Sequence, residues 1–150
     1  MKHANKPIKI VIDTNLFISL LIGKKMEELK QIITSSQFQI VVSEALIEEI
    51  REVSHRPKFA RYFNLDQVEA FLDFLTGISI AYDLHEIPSR CRDSKDDFLL
   101  ELALVSESEF LLTGDADLLE INRIGACKIL TVQDFLLLLQ TQEDFNKLNN

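Results

Sequence analysis

Residues 8–15 read IKIVIDTN, a run rich in β-branched side chains that stops on Asp13. Continuous runs of this kind form strands buried on both faces of a parallel sheet. Thr14 begins a helical pattern that reaches about Ile33 and breaks near Gly23. The alternation then recurs along the chain. FQIVV (38–42), ISIAY (78–82), EFLLT (109–113) and KILT (128–131) read as further strands. Between them, SEALIEEIREV sets Leu46, Ile47, Ile50 and Val53 on one helical stripe. Pro57 ends that helix, and a second runs from Asp66 to Thr76 and closes at Gly77. Another spans about Lys95–Ser106 with Ser94 as its cap, and Thr131 and Asp134 have capping-box spacing before FLLLLQ. Strands alternating with helices imply an α/β fold: a three-layer α/β/α sandwich around a parallel sheet of about five strands. The expected organisation is one domain over 1–150, with its core at about 8–140 and a loose tail at 141–150.

The chain has 150 residues, of which 47% are apolar and 27% charged, as in a soluble globular domain. Its net charge of −8 argues against a binder that meets nucleic acid with a basic groove alone. It is compatible with a protein that meets phosphate through a bound cation. Cys91 and Cys127 form no CxxC pair, so two free thiols in a reducing cytoplasm are expected. The N-terminus lacks the layout of a signal peptide, and no stretch approaches the roughly 20 apolar residues of a membrane span.

The acids carry the chemistry. In open α/β sheets ligands bind outside the carboxyl ends of the strands. Asp13 follows the first strand, and Asp115 and Asp117 follow EFLLT. Glu48 and Glu49 lie on the helix after the second strand, and Asp93, Asp96 and Asp97 cluster at a helix start. Each has a plain alternative. Asp13 fits a helix cap, with Thr14 and Asn15 beside it as residues that could orient it. Glu48 faces the solvent side of its helix, whereas Glu49 borders the apolar stripe. The three aspartates suit a helix dipole, and the Asp115–Asp117 pair suits a turn. The conjunction says more than any one of them. Several segments deliver carboxylates without paired Cys or His, a donor set that selects Mg²⁺ or Mn²⁺ over zinc.

In order, VIDTN, SEALIEEIREVSHRPKF, CRDSKDDFLLELAL, FLLTGDADLLEI and ILTVQDFL resemble the motifs of PIN-domain nucleases. The likeness runs from about Ile10 to Leu138 and is strongest to the bacterial group of toxins from toxin–antitoxin pairs. It implies a Mg²⁺- or Mn²⁺-dependent endoribonuclease with an RNA substrate, a cognate antitoxin and a homo-oligomeric (dimeric) state. Matched motif by motif, it implies Asp13, Glu49, Asp97 and Asp115 as the catalytic acids. Asp13, Asp97 and Asp115 would hold metal, with Asp96 and Asp117 as near alternatives. Asn15 and Thr113 match supporting polar positions. Ser94 stands where relatives often carry proline, and Phe98 where a polar residue is commoner.

Arg51 and Arg56 follow the Glu49 helix and are the basic residues favoured for phosphate contact. Two other readings compete. An acid-pocket phosphohydrolase would need DxDxT where DTN stands, and a receiver domain would need a lysine after its last strand, whereas Lys128 begins one. A non-catalytic module would use the acidic groove to hold a basic partner.

Overall fold

The computed structural model describes residues 6–23, 26–84 and 97–148. Six strands form one sheet: β1 (Ile8–Ile12), β2 (Phe38–Val42), β3 (Ile80–Ala81), β4 (Phe110–Leu112), β5 (Arg123–Ile124) and β6 (Cys127–Leu130). Their order is β3-β2-β1-β4-β6-β5, parallel except for β5, which runs antiparallel to β6. Among the described residues, seven α-helices connect and flank them: α1 (Thr14–Ile22), α2 (Glu27–Thr34), α3 (Glu44–Ser54), α4 (Leu65–Ile78), α5 (Asp97–Val105), α6 (Ala116–Ile121) and α7 (Val132–Leu148).

The opening stretch explains the centre of the sheet. Ile10, Val11 and Ile12 are all fully buried although neighbours on a strand face opposite ways, so β1 is covered on both faces. On one face, Phe38 and Phe110 pair in register with Ile8 and Ile10, and both meet Phe135 of α7 edge-on at 5.5 and 4.9 Å. A buried Ile or Val contributes about 1.5–3 kcal/mol. Three together offset the several kcal/mol that removing a carboxylate from water costs at the next position.

The expected α/β fold with a parallel sheet of about five strands is present, and among the described residues a sixth, short strand joins it because Arg123–Ile124 pairs with Cys127–Lys128 in a hairpin. Gly125 makes that turn with a positive φ of 58°. Three other expectations need correcting. ISIAY is not a five-residue strand: only Ile80–Ala81 pair, at the sheet edge, and Ile80 is exposed. Gly77 does not close α4, which continues to Ile78 and ends at Ser79. Residues 141–148 are not a loose tail, since α7 runs unbroken to Leu148. By contrast, α1 does end at Gly23, whose φ of 85° is easy only for glycine.

Cys127 is buried in β6, and burial pushes its thiol from 9.0 up to about 12. In a Cys91→Ser background at pH 8, native Cys127 is therefore expected to react with a disulfide reagent about a thousandfold more slowly than the unfolded chain. Equal native and unfolded rates would contradict this.

Candidate active site

The site grows from the sheet register. Ile12 pairs with Leu112, so the next residues, Asp13 and Thr113, meet at the carboxyl edge of β1 and β4. The Asp13 N–H donates to the Leu112 carbonyl at 3.0 Å, and the Thr113 N–H to that of Leu130 at 3.0 Å. Both side chains are buried, Asp13 to 4% exposure and Thr113 to 1%. The Thr113 hydroxyl donates to Asp13 Oδ2 at 2.6 Å and accepts the Asp115 N–H at 3.0 Å. One hydroxyl thus fixes two acids that come from different ends of the chain.

Asp13 is also the cap of α1, accepting the Asn15 N–H on Oδ1 at 3.4 Å. Capping and site roles therefore coexist. Burial raises its pKa above the ordinary 3.8. The bonds from Thr113 and the Asn15 backbone oppose the rise, and the charge of Asp115 adds to it. Asp115 caps α6 through the Asp117 N–H, at 2.8 Å. The Asp117 side chain is exposed, and the residue serves the site through its backbone.

The second contributor is α3, capped by Ser43. Glu49 is half-buried and its Oε2 accepts the Thr14 hydroxyl at 2.5 Å, which ties α3 to the start of α1. Glu48 is exposed and pairs instead with Arg51 at 2.6 Å. Arg51 also reaches Glu69 at 3.2 Å, on the side away from the cleft, so the expectation that it meets substrate needs correcting. At 100° per residue, Arg51 stands 200° around the helix from Glu49, whereas Val53, four residues on, returns to its face, so that spacing could have identified it. Arg56 lies past the end of α3 in extended backbone and reaches the cleft from there. Together Asp13, Thr14, Asn15, Glu49, Val53, Arg56 and Asp115 line a cleft of about 200 Å³. Asn15 supports Asp13 with its backbone N–H, and Thr14 serves both acids, its hydroxyl orienting Glu49 and its backbone favouring the Asp13 carboxylate.

Asp97 is the first residue of α5, which packs against β1 and α3. Asp93, Ser94 and Asp96 lie outside the described residues. Phe98 packs half-buried against the core.

The sequence model of the PIN domain matches residues 9–117, most of the chain and every segment that builds the cleft. The chain belongs to the PIN-domain family. PIN domains are generally metal-dependent nucleases, hydrolases that act on nucleic acids, and typically use divalent cations such as Mg²⁺ or Mn²⁺. The uncharacterized protein MJ1680 of Methanocaldococcus jannaschii is 27% identical over 141 residues, covering 92% of this PIN-domain chain and 89% of its own length. Among solved structures, VapBC2 from Rickettsia felis, bound to a DNA fragment from its promoter, superposes with a TM-score of 0.55 at 14% identity. That match covers 81% of this chain and 97% of the other. The PIN domain endonuclease Utp24 gives a TM-score of 0.47 at 17% identity, covering 83% and 85%. The Rickettsia felis likeness bears on the fold.

Among the described residues, no three carboxylate, histidine or cysteine side chains converge closely enough to hold a metal by themselves. Mg²⁺ is typically held by one or two carboxylates, with water and substrate phosphates completing the shell. Asp13 and Asp115 meet that requirement. They are oxygen donors whose mutual repulsion, felt at Asp13, a cation would relieve. No described helix is long and apolar enough to cross a membrane.

Proposed function

We propose that the protein is a Mg²⁺- or Mn²⁺-dependent endoribonuclease and the toxin of a toxin–antitoxin pair. The observation that carries the nuclease reading is the Thr113 bridge, which sets Asp13 and Asp115 together on the floor of an open cleft in a PIN domain. In this reading Asp13 and Asp115 hold the cation, joined by Asp97 from the start of α5. Asp96 is the near alternative to Asp97, whereas the exposed side chain of Asp117 makes it a weaker alternative to Asp115. When bound, such a cation supplies Lewis-acid and water-activating chemistry for phosphodiester hydrolysis. Glu49, oriented by Thr14, adds a further carboxylate at the cleft wall, and Asn15 and Thr113 hold Asp13 in place. Arg56, exposed at the cleft, meets a substrate phosphate.

The toxin part is carried by the motif order shared with that group. Its cognate antitoxin, dimeric state and cytoplasmic location belong to the same reading, and the Rickettsia felis likeness supports it only in the fold.

The test is cleavage of total RNA. Wild type with Mg²⁺ or Mn²⁺ is expected to cut, and both a chelator and Asp97→Asn are expected to reduce cutting by at least about a hundredfold. Cleavage that is indifferent to the chelator would refute the metal, and cleavage by Asp97→Asn at the wild-type rate would remove Asp97 from the site.

A further inference from the structure

We propose that residues 56–62 form a platform that guides single-stranded RNA into the cleft, with Lys58 and Arg61 on its phosphates and Tyr62 stacked on a base. The proposal rests on the nuclease reading for its substrate.

The first observation is charge. Overall, 24 acidic residues outnumber 16 Lys and Arg, yet HRPKFARYFN (55–64) holds Arg56, Lys58 and Arg61 and no acid. All three side chains are exposed, and among the described residues none of them is ion-paired, unlike Lys30 and Arg51. Cations without an acidic partner among the described residues, beside an acidic cleft, are available to a polyanion.

The second is construction. Arg56 lines the cleft and begins a 3-10 turn over Pro57–Phe59. Bonds from Phe59 N–H to Arg56 O (3.0 Å), Ala60 N–H to Pro57 O (3.1 Å) and Tyr62 N–H to Phe59 O (2.9 Å) continue the tight winding. Phe63 is buried in the core, and Phe59 stacks on it at 6.0 Å and 21°. These two rings hold the segment down while the polar side chains project from it.

The third is the alternation of cations with rings. Lys58 Nζ lies 5.1 Å from the Phe59 ring centre, and Arg61 Cζ lies 4.8 Å from that of Tyr62. Arg61 Nη2 donates to the Tyr62 hydroxyl at 2.7 Å, which orders both groups, and Tyr62 keeps 42% of its surface in solvent. An exposed ring beside guanidinium and ammonium groups is the equipment for stacking one base between phosphate contacts. A duplex, whose base faces are covered, cannot use the ring.

The test is fluorescence anisotropy of a labelled, unstructured 12-nucleotide RNA in chelator, where nothing is cut. Lys58→Ala/Arg61→Ala is expected to raise Kd about tenfold and to shrink the slope of log affinity against log salt by about 1.4, two single-strand contacts' worth. Tyr62→Ala is expected to raise Kd about tenfold with the slope unchanged, and Tyr62→Phe to stay within about twofold of wild type. On a hairpin duplex Tyr62→Ala is expected to have no effect. Circular dichroism checks that each variant folds. Wild-type Kd in the folded variants would overturn the proposal, as would equal losses for Tyr62→Phe and Tyr62→Ala. Because the assay needs no turnover, the two readings fail separately. Binding through these residues without cleavage would sink only the nuclease, and cleavage with affinity indifferent to them would sink only the platform.

Discussion

Asp13→Asn is expected to abolish RNA cleavage while raising the thermal stability of the metal-free protein. The two effects have one origin. Burial above all, and then the charge of Asp115, raise the pKa of Asp13 in the folded state. A carboxyl raised in this way binds its proton more tightly folded than unfolded. Metal-free stability therefore falls as pH climbs from the ordinary 3.8 through the folded value, and is level above it. At neutral pH the whole penalty is present. Asparagine has the same shape, carries no charge and accepts the Thr113 hydroxyl on its own oxygen. Its thermal midpoint should rise by roughly 2–4 °C for each kcal/mol relieved, and the midpoint should lose the part of its acid-range pH dependence that Asp13 contributes. Cleavage should fall by about a thousandfold or more, since several kcal/mol of cation-mediated stabilisation disappears. Mn²⁺ should raise the midpoint of wild type and leave that of Asp13→Asn unchanged. Growth arrest on induced expression should vanish with the same substitution. Undiminished cleavage by a folded Asp13→Asn protein would sink the functional assignment.

Thr113→Val, the second large effect, acts in the opposite direction on stability. Valine matches threonine in shape but offers neither the donor to Asp13 nor the acceptor for the Asp115 N–H. A buried carboxylate oxygen then loses its partner, at about 1–3 kcal/mol or more because it is charged. Asp115 is also released from its position beside Asp13, and cleavage should drop by about 10–100-fold, as when a ligand-orienting partner is removed. Thr113→Ser keeps the hydroxyl and should restore most of both. Urea unfolding with parallel cleavage assays measures this. In the Asp13→Asn background the destabilisation by Thr113→Val should shrink, because no charge remains to be stranded. Equal destabilisation in both backgrounds would show that the hydroxyl acts on packing alone.

Much of this site could be read in advance where local rules suffice. Residues 8–12 and 38–42 begin and end as strands where the sequence pattern places them, because the last three residues of each are β-branched and buried on both faces. Glu49 was separable from Glu48 by its place beside the apolar stripe. Thr14 was not legible as the partner of Glu49, since that bond depends on how the β1–α1 junction sits against α3, 35 residues away. Arg51 was legible as pointing elsewhere, 200° around the helix from Glu49, but its partner Glu69, on a different helix, was not. The two-residue strands β3 and β5 carry no pattern of their own and exist only because a neighbour offers its edge. Gly77 sits within α4 because Ile78, one residue on, packs against the core and offsets the roughly 1 kcal/mol that glycine costs a helix.

The Asp13–Thr113 bond joins residues 100 positions apart, and β1 sits between β2, which is synthesised soon after it, and β4, which comes much later. Synthesis proceeds from the N-terminus at about 5–20 residues per second, and pairings between distant segments form slowly. For several seconds a nascent chain holds Asp13 and Glu49 with no Thr113 or Asp115 to complete the cleft. A ribosome-bound or prematurely terminated product thus lacks part of the cleft, and under the proposed ribonuclease function the RNA of its own translation is exposed to cleavage only once most of the chain has been made.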